Sequence, residues 1–281
     1  MVFRFRTRPG RAYLAGAPLL VAHRGGSRLA PENTMAAFES AIRDWGADML
    51  ELDVRLSKDG VVMVIHDDSV DRTTDGTGPV SAYTKQELKQ LDAGYRFRDL
   101  DGDLSCRGKG VTIPTLNELL EALPSVWLSI EAKEASVAGP LVEVIRNHRA
   151  EYRVLVAAEH EKNRIDARGY KGPWGASTRD CLLFWILHRL PGGAGFIPKV
   201  DAFQVPESWH GFRVLTPRLI AEAHKLNIPV HVWTVDDQDD MRRLLSWGVD
   251  AIQTDRPDIL SQVLVDSAGR PLPPVLRRKS V

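Results

Sequence analysis

His23, Arg24, Glu51, Asp53, His66, Glu131 and Lys133 carry the side chains that could do chemistry together. One residue separates Glu51 from Asp53, and one separates Glu131 from Lys133. Side chains alternate along a strand, so each pair shares a face while Leu52 and Ala132 point away. Three carboxylates gathered in a poorly solvated place repel one another and lose hydration, and a divalent cation is the simplest compensation. All-oxygen ligation suits Mg²⁺ or Ca²⁺ better than Zn²⁺. Arg24 and Lys133 could hold an anion, and two histidines, titrating near neutrality, suit proton transfer. Singly, each residue has a plainer reading. A histidine ending a strand is often structural, Glu-x-Asp is often a solvated face or a salt bridge, Arg24 could be a surface cation, and Glu131 can simply pair with Lys133. Every plain reading needs its own partner, however, whereas one metal-plus-phosphate site accounts for all seven residues.

These residues must be positioned by elements that repeat. Strand-like runs at 19–22, 49–56, 126–130, 153–157, 174–176 (weak), 201–205, 230–235 and 251–254 alternate with helical patterns at 33–45, 115–123, 137–148, 162–168, 179–189, 217–226, 238–247 and 258–265. Eight such units predict an α/β fold, a (β/α)8 TIM barrel, rather than an open doubly wound sheet of fewer strands. A chain of 281 residues fits one barrel domain of about 250 residues. Asp59-Gly60 turns the second strand back into an arm at 61–65 that ends in His66. Between about residues 67 and 112 the alternation fails, and only 85–91 looks helical, which marks an insertion after strand two. Residues 1–18 are read as an N-terminal extension, 19–266 as the barrel, and 267–281 as a basic, disordered tail with Arg270, Arg277, Arg278 and Lys279. In a barrel, catalytic side chains sit at the carboxyl ends of strands, which is where all seven fall.

Composition excludes several classes. Lys plus Arg and Asp plus Glu both total 37, so no global field exists to grip nucleic acid. No GxGxxG or Walker-type loop occurs, which removes the main support for dinucleotide or nucleoside-triphosphate binding. Cys106 and Cys181 lie far apart in no metal-binding spacing, which fits a reducing compartment, and a cytoplasmic location is expected. Arg4, Arg6, Arg8 and Arg11 precede an apolar run that resembles a signal peptide, but cleavage there would destroy the first barrel strand. No run reaches the roughly 18 apolar residues that span a bilayer.

The ordered set His23-Arg24-Gly25-Gly26, Ala30-Pro31-Glu32-Asn33-Thr34, Glu51-Leu52-Asp53-Val54, Lys58-Asp59-Gly60, His66-Asp67, Asp71-Arg72-Thr73-Thr74, Leu91-Asp92-Ala93-Gly94, Ile113-Pro114-Thr115-Leu116, Glu131-Ala132-Lys133, Trp233-Thr234-Val235 and Thr254-Asp255-Arg256-Pro257 resembles the glycerophosphodiester phosphodiesterase family. The resemblance implies a barrel with a small insertion, one divalent cation, and hydrolysis of small glycerophosphodiesters to glycerol 3-phosphate and an alcohol. It implies metal ligation by Glu51, Asp53 and Glu131, acid/base roles for His23 and His66, and phosphate binding by Arg24 and Lys133. It also implies attack by the substrate's own glycerol hydroxyl, giving a cyclic phosphate that water then opens. Trp233 is expected in the substrate pocket or as core filler, Asp255 is equally divided between site and structure, and Glu32-Asn33-Thr34 are expected to cap the first helix.

Residues 169–199 match least and carry Trp174, Phe184, Trp185, Ile186 and Phe196. They read as a helix packed on the barrel or as an apolar lip that admits lipid-like substrates or touches a membrane. A lysophospholipase D is therefore the rival activity. A non-catalytic phosphodiester-binding barrel is disfavoured because none of the seven residues is missing. An isomerase or aldolase is disfavoured because Asp236-Asp237-Gln238 and Asp255-Arg256-Pro257 form no phosphate cradle.

Overall fold

The computed structural model describes residues 18–167, 169–190 and 199–279. The extension expected over 1–18 therefore lies outside the described residues except for its last position. The strands are β1 (Leu19–Ala22), β2 (Met49–Leu56), β3 (Val62–Val64), β4 (Trp127–Ala132), β5 (Val154–Ala157), β6 (Phe203–Pro206), β7 (Ser208–Trp209), β8 (Phe212–Arg213), β9 (Val230–Trp233) and β10 (Ala251–Thr254). The parallel order β5-β4-β2-β1-β10-β9-β6 supplies seven staves. The eighth is the weak strand near 174–176, reduced to two parallel bridges, Val156 with Trp174 and Gly175 with Ala202, which join β5 to β6 and close the barrel. Close approach of its neighbours makes position 175 of this stave a glycine. A Cβ on Gly175 would lie 2.7 Å from Gln204 Oε1 and 3.1 Å from Ala157 Cβ.

Around the staves run α1 (Met35–Arg43), α3 (Leu116–Ala122), α4 (Ala138–Asn147), α5 (Thr178–Leu187), α6 (Pro217–Lys225), α7 (Gln238–Trp247) and α8 (Pro257–Ala268), with α2 (Lys85–Leu88) in the insertion and α9 (Pro274–Lys279) after the barrel. Local chemistry sets their starts. Capping boxes Thr115/Glu118 and Ser177/Asp180 open α3 and α5, and prolines with pre-set φ open α6 and α8. The first helix begins at Met35 rather than 33, because Asn33 is left-handed at φ 56° and Thr34 alone caps it, accepting from Ala37 N. The expected helix at 162–168 is a 3₁₀ turn, Glu161–Ala167.

The tail is a correction. Through residue 279 it is ordered, because Arg270 donates to both oxygens of Asp48 at 2.6 and 2.7 Å and Val275 N donates to Asp44 O, docking α9 beside α1. The insertion has a small core of its own, in which Ile65, Val70, Val80, Leu88, Ala93 and Ile113 pack around Met63.

Outward-facing residues of the staves bury themselves under the helices, while Leu19, Val21, Met49, Leu155, Ala202 and Ala251 fill the floor of the barrel. Above that floor the interior turns polar. Gln204 Nε2 donates to Ser129 Oγ at 2.9 Å, and His231 points inward between outward Val230 and Val232 with neither ring nitrogen partnered. Burial outweighs the charge of Asp250 and pushes His231 down from 6.5 to about 4. It therefore stays neutral in the fold while the unfolded chain takes up a proton, so stability falls as pH drops from 6.5 towards 4. By urea unfolding at pH 7 and pH 4.5, His231→Leu should lose about 2 to 3 kcal/mol less stability over that interval than the parent chain. Equal losses would show that His231 is protonated in the native barrel.

Candidate active site

β2 and β4 pair in parallel with Asp53 opposite Glu131 and Glu51 opposite Ser129, so the three carboxylates converge at the carboxyl end of the barrel. One oxygen from each of Glu51, Asp53 and Glu131 lies within 4.8 Å of the others. Lys133 follows β4 directly and sits 3.2 Å from Glu131 Oε1 and 3.5 Å from Asp53 Oδ1. Arg24 Nε lies 3.3 Å from Asp53 Oδ2, and its Nη1 donates to Glu32 at 3.0 Å. Asn33 Nδ2 donates to Asp53 Oδ2 at 3.0 Å, so Glu32 and Asn33 belong to the site rather than to the helix cap expected of them.

The charges are not evenly matched. Burial alone would raise Asp53, but Arg24, Lys133 and His66 outweigh it and hold its carboxyl below the usual range. Glu51, also buried, has Arg24 N as its hydrogen-bond donor at 3.1 Å. Burial and then the Asp53 charge push Glu51 up to about 8. The site thus holds two carboxylates, Asp53 and Glu131, paired with side-chain cations and a third, Glu51, paired with neither the Arg24 nor the Lys133 side chain, which is the donor set a divalent cation would complete. Arg24 Nε is itself buried against Asp53 without a well-aligned hydrogen bond, so the guanidinium is held at the site chiefly by charge.

His23-Arg24-Gly25-Gly26 reaches this place through a left-handed turn, with φ of 51° at Arg24, 85° at Gly25 and 90° at Gly26. A Cβ on Gly25 would lie 2.7 Å from Ala37 Cβ, and one on Gly26 would lie 2.8 Å from Pro257 Cγ, so both must be glycine. The turn aims His23 at Asp255, with Nδ1 2.6 Å from Oδ1. His66 arrives from the other side. β2 overshoots the mouth, and the antiparallel pairing of Val54 with Val64 brings the chain back until Ile65 N donates to Asp53 O. There His66 Nδ1 lies 2.6 Å from Asp67 Oδ1.

A carboxylate only accepts, so in both pairs Nδ1 carries the proton and Nε2 is the exchangeable position. Burial would lower His23, but Glu51 and then Asp255 raise it to about 8. Burial would raise Asp67, but hydrogen bonds from Arg72 and His66 hold it near 2. Asp67 and Arg72 are missed by a reading based on strand ends, although Asp67 adjoins His66 in sequence. Arg72 donates to Asp67 and, at 2.7 and 2.8 Å, to Glu32, tying the insertion to the site. Asp255 is settled as a partner of His23. It is itself held by Asp236, which accepts from Asp255 N and Thr254 Oγ1. Trp233 ends β9 opposite Pro206 at the same end of the barrel, partly exposed.

A sequence profile of the Glycerophosphoryl diester phosphodiesterase family matches residues 23–165 and 194–259. The chain belongs to that family. It is 35% identical to a glycerophosphodiester phosphodiesterase of Caldanaerobacter subterraneus, covering 86% of this chain and 96% of that protein. It is 34% identical to the probable glycerophosphodiester phosphodiesterase 2 of Mycobacterium tuberculosis, covering 89% and 92%. A crystal structure of a glycerophosphodiester phosphodiesterase from Agrobacterium tumefaciens superposes with a TM-score of 0.70 at 29% identity, covering 87% of this chain and 99% of that one. An Oleispira antarctica phosphodiesterase solved with sn-glycerol-3-phosphate superposes at 0.71 with 26% identity, covering 88% and 97%.

Among the described residues Asp255 is the carboxylate on His23 Nδ1, so Asp255→Asn should keep the hydrogen bond but remove the charge. His23 should then titrate lower, and hydrolytic turnover should fall about tenfold to a hundredfold. An NMR titration of the imidazole beside rate measurements would check this, and an unmoved titration with full turnover would contradict it.

Proposed function

We propose that the protein hydrolyses deacylated glycerophosphodiesters to glycerol 3-phosphate and an alcohol, with one Mg²⁺ or Ca²⁺ held by Glu51, Asp53 and Glu131. The observation that carries this reading is the carboxylate trio flanked by Arg24 and Lys133 and by two carboxylate-paired histidines. A cation held there would supply positive charge to a nonbridging phosphate oxygen. Arg24 and Lys133 bind the other nonbridging oxygen, and both guanidinium and ammonium stay charged: burial would lower each, but Asp53 and then Glu32 or Glu131 raise them.

His23 and His66 move protons at Nε2. One accepts the proton of the attacking glycerol hydroxyl while the other protonates the departing alkoxide. In the second step, opening of the cyclic phosphate, the two roles reverse as water supplies the proton and the oxygen. Asp255 and Asp67 fix each ring's tautomer and orientation. Trp233, at the end of β9, is assigned to the glycerol side of the pocket. Cys106 and Cys181 stand as free thiols, which supports a cytoplasmic setting. No helix among the described residues is long and apolar enough to cross a membrane.

With Mg²⁺ or Ca²⁺, purified protein should release glycerol 3-phosphate from glycerophosphocholine, and excess chelator should stop it. Glu51→Gln and His66→Ala should each reduce the rate at least about a hundredfold. Release of choline from lysophosphatidylcholine alone would move the assignment to lysophospholipase D. Silence on every diester would overturn it.

A further inference from the structure

The family profile passes over residues 166–193, and that stretch contains a surface unlike the rest of the molecule. α5 is apolar on both sides. Phe184 faces inward, stacked on Phe203 at 4.6 Å, while Leu182, Leu183 and Ile186 face solvent, each about half exposed. Leu190 continues this face beyond the helix, and Trp209 and the 70% exposed Phe212 carry it onto the β7–β8 hairpin. Contacts make the surface continuous: Trp185 Nε1 donates to Arg213 O at 3.4 Å, and Arg218 Nη2 donates to Arg189 O at 2.9 Å. A helix apolar all round normally finds an apolar partner for both sides, and large exposed aliphatic and aromatic side chains gathered in one place mark an interaction site.

Charge identifies the partner. Arg179, Arg189, Arg213 and Arg218 are all exposed around the apolar residues. Of the carboxylates beside these elements, Asp180 pairs with Arg164 at 2.7 Å and Glu207 with both arms of Arg243 at 2.8 and 2.9 Å, while the exposed Glu159 and Glu161 lie at the N-terminal start of α5, away from Leu190 and the hairpin in sequence. Among described residues 178–190 and 208–218, no carboxylate is exposed. In a twofold dimer the same face meets itself, which would set these arginines against their own copies. Apolar side chains ringed by arginine, with two aromatics on a protruding hairpin, instead suit the boundary between lipid headgroups and acyl chains.

We propose that α5, Leu190 and the β7–β8 hairpin dock the protein on an anionic membrane surface. The hairpin follows the carboxyl end of β6, and α5 follows the residue 174–175 stave through Ser177, so docking would bring the mouth of the barrel close to the lipid. The inference does not depend on which diester is cleaved.

The test is cosedimentation of the full chain with vesicles of phosphatidylcholine alone or with about half phosphatidylglycerol, where each arginine at the surface is worth about fivefold in partition. The protein should pellet with the anionic vesicles, not with neutral ones, and high salt should release it. Leu182→Ser with Phe212→Ser should cut partition at least about tenfold, and Arg213→Glu should do the same, while turnover of soluble glycerophosphocholine is unchanged. Three results would overturn the proposal. They are absence of binding, binding that survives these substitutions and so uses another surface, or a parent dimer that the substitutions turn into a monomer by light scattering, which would make the face an interface between copies.

Discussion

Carboxylates crowded at the mouth of a barrel set the terms for everything around them. Glu51 and Asp53 are buried, and Glu131 lies close enough for all three to offer an oxygen to one point. In a place with little water, such crowding is tolerated only if positive charge is brought in. The chain supplies two cations, Arg24 and Lys133, and both lie against Asp53. Glu51 is left to the Arg24 amide and the more distant imidazole of His23 at 3.8 Å, which is why burial drives it towards the neutral form. The asymmetry has a functional reading. The fold balances enough charge to hold the site together and leaves a deficit that a divalent cation can fill.

The surrounding architecture serves that arrangement. Parallel pairing fixes Asp53 beside Glu131, two glycines let the first loop turn back between α1 and the start of α8, and the antiparallel arm after β2 returns His66 to the level of Asp53. Each histidine is then locked by a carboxylate on Nδ1. The insertion is part of the same design, since Arg72 reaches from it to Glu32 and Asp67 and so links a surface excursion to the barrel mouth.

Much of this was legible in the residues alone. The period-two spacing of Glu51 and Asp53, and the positions of His23, His66 and Glu131 after or within strand-like runs, already place them at one end of a barrel. Eight staves were also legible, although the fifth survives only as two bridges, at a place where Gly175 leaves no room for a side chain. What the residues hid were contacts across long separations. Asp255 lies 232 positions from His23, and nothing local distinguishes a site carboxylate from a helix-start residue. Glu32 and Asn33 looked like cap residues because polar residues before an apolar run usually are, yet Thr34 performs the cap and frees its two neighbours for Arg24 and Asp53. The basic tail looked disordered by composition, and its order comes from Asp48, more than two hundred residues upstream.

Whether the carboxylate trio binds one cation can be measured by calorimetric titration of Mg²⁺ and of Ca²⁺ into the metal-free chain. Saturable binding of about one ion per chain is expected for at least one of the two, lost or weakened at least about tenfold in Glu51→Gln. Absence of stoichiometric binding, or binding that Glu51→Gln leaves intact, would contradict it.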